Sequence, residues 1–135
     1  MMKILGIEHL AIVTDSPEES ASFWGDLLGI AHTGTEVVES EGVTVQIYDT
    51  GKGKIELLTR YGKDSPIARF LKRKGPGLHH VCLEVDDVQS AIDLLKAKGI
   101  KLVYEKPRKG AEGYRIAFVH PSSSHGVLVE LCQKT

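Results

Sequence analysis

The sequence predicts an α+β architecture of two tandem βαβββ modules, whose strands form a curved mixed sheet, a half-barrel, with the helices on its outer face. Three observations lead there. Residues 7–30, IEHLAIVTDSPEESASFWGDLLGI, and residues 78–100, LHHVCLEVDDVQSAIDLLKAKGI, share one pattern of apolar strand, acidic turn, amphipathic helix and closing Gly-Ile. The ends of the two copies also correspond, KIELL at 54–58 against LVELC at 128–132. Each copy holds further short runs of strand composition between its helix and its end. A pattern present twice marks a duplicated unit rather than a solenoid.

Each element has a local reason. A strand over about 5–13 carries Leu10 and Ile12 on one face and His9, Ala11 and Val13 on the other. A helix is expected from Ser16-Pro17-Glu18-Glu19, with Ser16 as N-cap, Pro17 at the first helical position and Glu19 closing a capping box. Trp24, Leu27 and Leu28 form its apolar stripe, so Trp24 reads as core, and Gly29 ends it. Strands near 35–39, 43–48 and 54–59 complete module one, about 1–62. Ser65-Pro66 starts a connector helix over about 65–75 with Ile67, Phe70 and Leu71 on its apolar face, stopped by Gly75-Pro76-Gly77. Module two, about 76–135, repeats the plan. It has a strand at 78–85, a helix over about 87–98 with Val88, Ala91, Ile92 and Leu95 on one face, and strands near 101–105, 114–119 and 127–132.

Composition narrows the function. A chain of 135 residues and 14.8 kDa suits one domain spanning 1–135. Its 17 Lys and Arg against 18 Asp and Glu give a formal net charge of −1, which argues against nucleic acid or an anionic membrane surface as partner. No apolar run approaches the ~18–20 residues of a membrane span, and Glu8 and His9 interrupt the N-terminal apolar stretch before a signal-type region forms. Cys82 and Cys132 sit in apolar runs with no CxxC-type spacing and read as reduced core thiols of a cytoplasmic protein. There is no Walker-type or dinucleotide glycine pattern, and GKGK at 51–54 is a turn.

Strand alternation isolates four polar residues. His80 shares a face with Cys82 and Glu84, opposite His79, Val81, Leu83 and Val85, and His9 holds the corresponding place in the first copy. Glu56 and Glu130 each point away from apolar neighbours that pack on the helices. Two carboxylates buried without compensation repel each other and are costly to desolvate. A divalent cation bound by His9, Glu56, His80 and Glu130 removes both problems, and mixed N/O ligation suits an octahedral ion with open positions. Four unrelated polar residues on a solvated sheet face are the alternative. Two basic clusters, Lys72, Arg73, Lys74 and Lys106, Arg108, Lys109, are candidates for phosphate contact and equally for solvated surface. His120 ends a strand before Pro121, while His32 and His125 fall in loops.

The βαβββ pair with these four positions resembles the vicinal oxygen chelate superfamily, the glyoxalase, bleomycin resistance and dioxygenase group. Within it, SPIARFLKRKGPGLHHVCLEVDD at 65–87, IAFVHPSSSHGVLVELCQ at 116–133 and IEHLAIV at 7–13 are similar to the methylmalonyl-CoA epimerase family, and the resemblance covers essentially the whole chain. It implies His9, His80 and Glu130 as metal ligands, Glu56 as the fourth, and Glu130 as a catalytic acid/base. The implied reaction interconverts (R)- and (S)-methylmalonyl-CoA by α-proton abstraction through a metal-stabilised enolate. The implied ion is Co²⁺, with Mn²⁺, Ni²⁺, Zn²⁺ or Mg²⁺ compatible with the same ligands, and the implied assembly is a homodimer acting on a CoA thioester. Some epimerases use a further glutamate on the third strand; this chain has Val45-Gln46 there, and Gln is no Brønsted base. Glu56 also occurs in bacterial glyoxalase I enzymes, so a lactoylglutathione lyase is one alternative. A metal-free small-molecule binding protein of the same fold is another.

Overall fold

The computed structural model describes residues 2–135. The chain divides into two compact units, one formed by His9–His79, the other by His80–Thr135 with the chain up to Glu8. Strands β1 (Ile4–Val13) and β5 (Gly77–Val85) carry residues of both.

The His9–His79 unit contains β2 (Ala31–Val38), β3 (Val43–Asp49) and β4 (Lys54–Arg60) in the order β2-β3-β4-β1. The first two pairings are antiparallel, and β4 runs parallel to β1 with Ala11 opposite Glu56. His9, Ala11, Val13, Val45, Ile47, Glu56 and Leu58 therefore share one face, while Gln46, Tyr48, Ile55 and Leu57 share the other. The connector helix α2 (Pro66–Lys74) is capped by Ser65, whose Oγ accepts from the Ile67 amide at 3.1 Å and donates to the Gly42 carbonyl at 2.5 Å. That one hydroxyl ties the helix to the turn between β2 and β3, where Gly42 has the positive φ of 63° that a left-handed residue needs.

The first helix departs from expectation. Helix α1 (Pro17–Ala21) is five residues long and passes into a π-helical turn over Ser22–Leu27. Ser16 makes no side-chain cap. Thr14 instead fixes the turn before the helix, accepting from the Ser16 amide at 3.0 Å and sharing a 2.6 Å hydrogen bond with the Ser20 hydroxyl. The widened turn seats Gly25 against Tyr48, where a Cβ would lie 3.0 Å from the ring. Widening also turns the apolar stripe outward: Trp24 is half-buried, and Leu27 is 74% exposed.

The His80–Thr135 unit has the order β5-β8-β7-β6, with β6 (Arg108–Lys109), β7 (Arg115–Val119) and β8 (Val129–Gln133). Strands β5 and β8 are parallel and the other pairs antiparallel. Leu83, Leu131 and Ala117 form one cross-strand row, and Val81, Val129 and Val119 another, both facing helix α3 (Val88–Ala97). Val88, Ala91 and Ile92 on that helix are fully buried, each large apolar side chain contributing about 1.5–3 kcal/mol by leaving water. The strand expected near 101–105 is absent as such. Leu102 makes a single bridge to Val119, and regular pairing resumes at Arg108, one residue after Pro107, which has no amide to donate.

Asp87 caps α3, its carboxylate accepting from the Ser90 amide at 3.1 Å, and this bond holds the carboxyl below its ordinary 3.8. A depressed folded value means the stabilisation is complete above the unfolded value and disappears as pH falls through the folded one. Asp87→Ala is therefore expected to lower Tm at neutral pH, and the gap from the parent protein should close on acidification below about pH 3.8. Thermal melts across that range check it.

Candidate metal and catalytic site

Each unit buries one imidazole against one carboxylate. In the His9–His79 unit, Nδ1 of His9 on β1 lies 3.2 Å from Oε2 of Glu56 on β4, both side chains buried. Parallel pairing with Ala11 opposite Glu56 makes the two residues diagonal neighbours on one face. In the His80–Thr135 unit, Nε2 of His80 on β5 lies 2.9 Å from Oε1 of Glu130 on β8, again both buried. His79, one residue earlier, packs its ring on Phe70 of α2 at 4.9 Å. The Phe118 ring, edge-on to His80 at 5.3 Å, fixes the imidazole from the side.

Beneath that pair the polar face of the unit is built in rows. Phe118 and Cys82 lie at the register of Glu130, and Ile116 and Glu84 at that of Cys132. Cys82 and Cys132 are free, buried thiols. The Cys82 Sγ lies within 4.8 Å of a Glu130 carboxylate oxygen. Hydrogen bonding to Cys132 and burial push the Cys82 thiol up, so it stays protonated beside Glu130.

Glu8 as a buried partner, Lys134 and Glu36 escape a reading from sequence pattern alone. Glu8 is buried and paired with Lys134 at 2.9 Å, and Lys134 also stands 3.8 Å from Glu84. The hydrogen bond to Glu8 holds the Lys134 ammonium above its ordinary value. Glu8 adjoins His9 in the chain, yet strict alternation would have turned it outward. Glu36 on β2 sits opposite Val45, on the face that carries Glu56. Gln46 lies on the opposite face with its Oε1 buried and without a hydrogen-bond partner; Val45 is the residue on the face of Glu56. His120 caps a short turn, its Nδ1 accepting from the Ser122 amide at 3.0 Å, and His32 bonds Thr35 at 3.0 Å.

Within each unit, a buried imidazole beside a buried carboxylate offers donors of the kind a divalent cation takes. A carboxylate in such surroundings can serve as ligand or as proton acceptor.

The sequence matches the Glyoxalase/Bleomycin resistance protein/Dioxygenase superfamily over residues 8–118, and the chain belongs to that family. It is 41% identical over 128 residues to the mitochondrial methylmalonyl-CoA epimerase of Homo sapiens, covering 94% of this chain and 73% of that protein. The ethylmalonyl-CoA/methylmalonyl-CoA epimerase of Cereibacter sphaeroides is 38% identical, with 94% of this chain and 96% of that protein covered. A solved structure of methylmalonyl-CoA epimerase in complex with methylmalonyl-CoA and NH4+ superposes with a TM-score of 0.92 at 30% identity, covering 98% of this chain and 96% of that one. The fold class read from the sequence is thus the fold of these enzymes.

Removing the ammonium from the Glu8 pair should destabilise the protein, because a buried carboxylate loses compensation. Lys134→Met is expected to lower Tm at pH 7. The difference should persist below the unfolded Lys value of 10.5 and vanish as pH rises through the raised folded one. Denaturant midpoints of parent and variant, followed from pH 7 upward past the unfolded Lys value, check this.

Proposed function

We propose that this chain is a metal-dependent methylmalonyl-CoA epimerase in which His9, Glu56, His80 and Glu130 hold one divalent cation, Co²⁺ first among the candidates. The observation that carries the reading is the pair of buried His–carboxylate contacts, one per repeat, in a chain about 40% identical to proteins named for that activity. When bound, the cation supplies a Lewis acid that polarises the thioester carbonyl and lowers the acidity barrier at the neighbouring carbon.

The protein's own groups move the proton. Glu130 takes the α-proton on a carboxylate oxygen, and the proton returns to the opposite face of the same carbon from a second acid. His80 Nε2 and Glu130 Oε1 lie 2.9 Å apart, close enough to ligate one ion together, and a shared ion would fix the orientation of the carboxylate. Glu56 is the candidate for the second acid/base. The Phe118 edge and the buried thiols keep water away from Glu130, which strengthens every charge interaction around it. The same reading takes 1–135 as one domain and the protein as a cytoplasmic homodimer, for which Ile4, Leu5 and Ile7 on β1, 46%, 51% and 62% exposed, supply apolar surface. No described helix is long and apolar enough to cross a membrane.

The test is α-proton exchange of methylmalonyl-CoA in deuterated water, on protein stripped with a chelator and then reloaded with Co²⁺. Metal-dependent exchange with loss of stereochemical purity is expected, and Glu130→Gln should lose about 10²–10⁴-fold in rate. Absence of exchange with and without metal overturns the assignment.

A further inference from the structure

A basic cleft stands apart from the reaction. It has a volume of about 610 Å³ and lies between one side of α3 and the segment 105–115. Gln89 and Lys96, seven residues apart on α3, share a helix face and form one wall. Lys106, Arg108, Lys109 and Arg115 line the rest, with Glu105 the carboxylate among the lining residues. Strand parity separates this cleft from the face of His80 and Glu130. On β7, Arg115, Ala117 and Val119 point toward α3, whereas Ile116 and Phe118 point the other way, at the registers of Cys132 and Glu130.

The arrangement costs stability as it stands. Lys109 and Arg115 are directly opposite each other in the short pairing of β6 with β7, and like charges at such positions repel. Lys96, Lys106 and Arg108 border the same volume, so five cations against one carboxylate leave a formal +4 there, in a chain of net −1. Asp87 lies near enough to act on Arg115, which offsets the excess at one edge. The segment is nonetheless held in place. The Gly110 amide donates to the Tyr114 carbonyl at 2.8 Å, and a Cβ at Gly110 would lie 2.9 Å from two carbons of Ile116, so a glycine is what lets the chain rest on β7. The Arg108 guanidinium lies 3.8 Å above the Tyr104 ring, which anchors the strand that carries Lys109.

We infer that this cleft binds a second ligand, an oligophosphate anion distinct from the substrate, on the α3 side of the sheet. A terminal phosphate carries about −1.5 to −2 near pH 7 and each further phosphate of a chain adds one more charge, so a triphosphate balances the cleft. Arg side chains pair their N–H donors with phosphate oxygens, and the lysines add point charge. Confinement of the cations to one concave site favours a small anion. A nucleic acid would need a basic field spread over a face, which a chain of net −1 does not provide. The inference does not rest on the epimerase reading, since no residue lining the cleft is among the four proposed ligands.

Calorimetry tests it on the full chain, freed of metal so that the anion has no ion to capture. Sodium tripolyphosphate should bind one to one, at least about tenfold more weakly to Arg115→Glu and to Lys109→Glu, and unchanged to Lys72→Glu on the basic end of α2. Lys96→Glu, at an exposed helix position, should show the same weakening and replaces either cleft variant that fails to fold. Amide NMR shifts during the titration should gather at residues 89–96 and 105–115. Adenosine triphosphate decides the source of the anion. Tighter binding than tripolyphosphate makes the ligand a nucleotide, equal or weaker binding makes it an inorganic oligophosphate, and both support the site. No binding by the parent protein, equal affinity in parent and cleft variants, or shifts centred on His80 and Glu130 each overturn the proposal.

Discussion

A carboxylate buried in a β-sheet must be compensated, and both units are arranged around that constraint. Glu56 lies beside His9, Glu130 beside His80, and Glu8 beside Lys134. The three pairs are not equivalent. Lys134 is a permanent cation at neutral pH, so the Glu8 pair is an ion pair that holds β1 to the end of the chain. A neutral imidazole meets a carboxylate with one N–H, and an imidazole and a carboxylate together are also the donor types a divalent cation takes. Aliphatic rows on the opposite face, Leu83-Leu131-Ala117 and Val81-Val129-Val119, supply the burial that lets the sheet tolerate the buried carboxylates.

Strand parity explains why the faces of His9, His80, Glu56 and Glu130 could be read from the chain. Period-2 alternation places His80 opposite Val81 and Leu83 whatever the rest of the fold does, and the structure turns His79 to Phe70 and His80 to Glu130. The connector helix and α3 were equally legible because their caps, Ser65 and Asp87, are local. Where the chain defied its reading, something distant had intervened. The first helix widens into a π turn where Gly25 meets Tyr48, a residue of β3 that no helical pattern announces. Glu8 broke alternation because its partner lies near the other end of the chain. Gln46 was weighed as a stand-in for a catalytic carboxylate, yet register puts Val45 on the face of Glu56.

The two repeats differ most between helix and last strand. Module one has an eight-residue β2, paired along its length with β3. At the corresponding place module two pairs through Leu102 alone and then through Arg108–Lys109. Pro107 removes one donor there, and Gly110 draws the loop onto Ile116. Residues freed from a sheet ladder can take side-chain conformations that a strand forbids. Tyr104 uses that freedom to meet Phe118, and Arg108 to cover Tyr104. Duplication could supply two matching His–Glu pairs by copying, since both copies need the same chemistry. Lys106, Arg108 and Lys109 lie in that non-repeated loop, for which module one offers no copy.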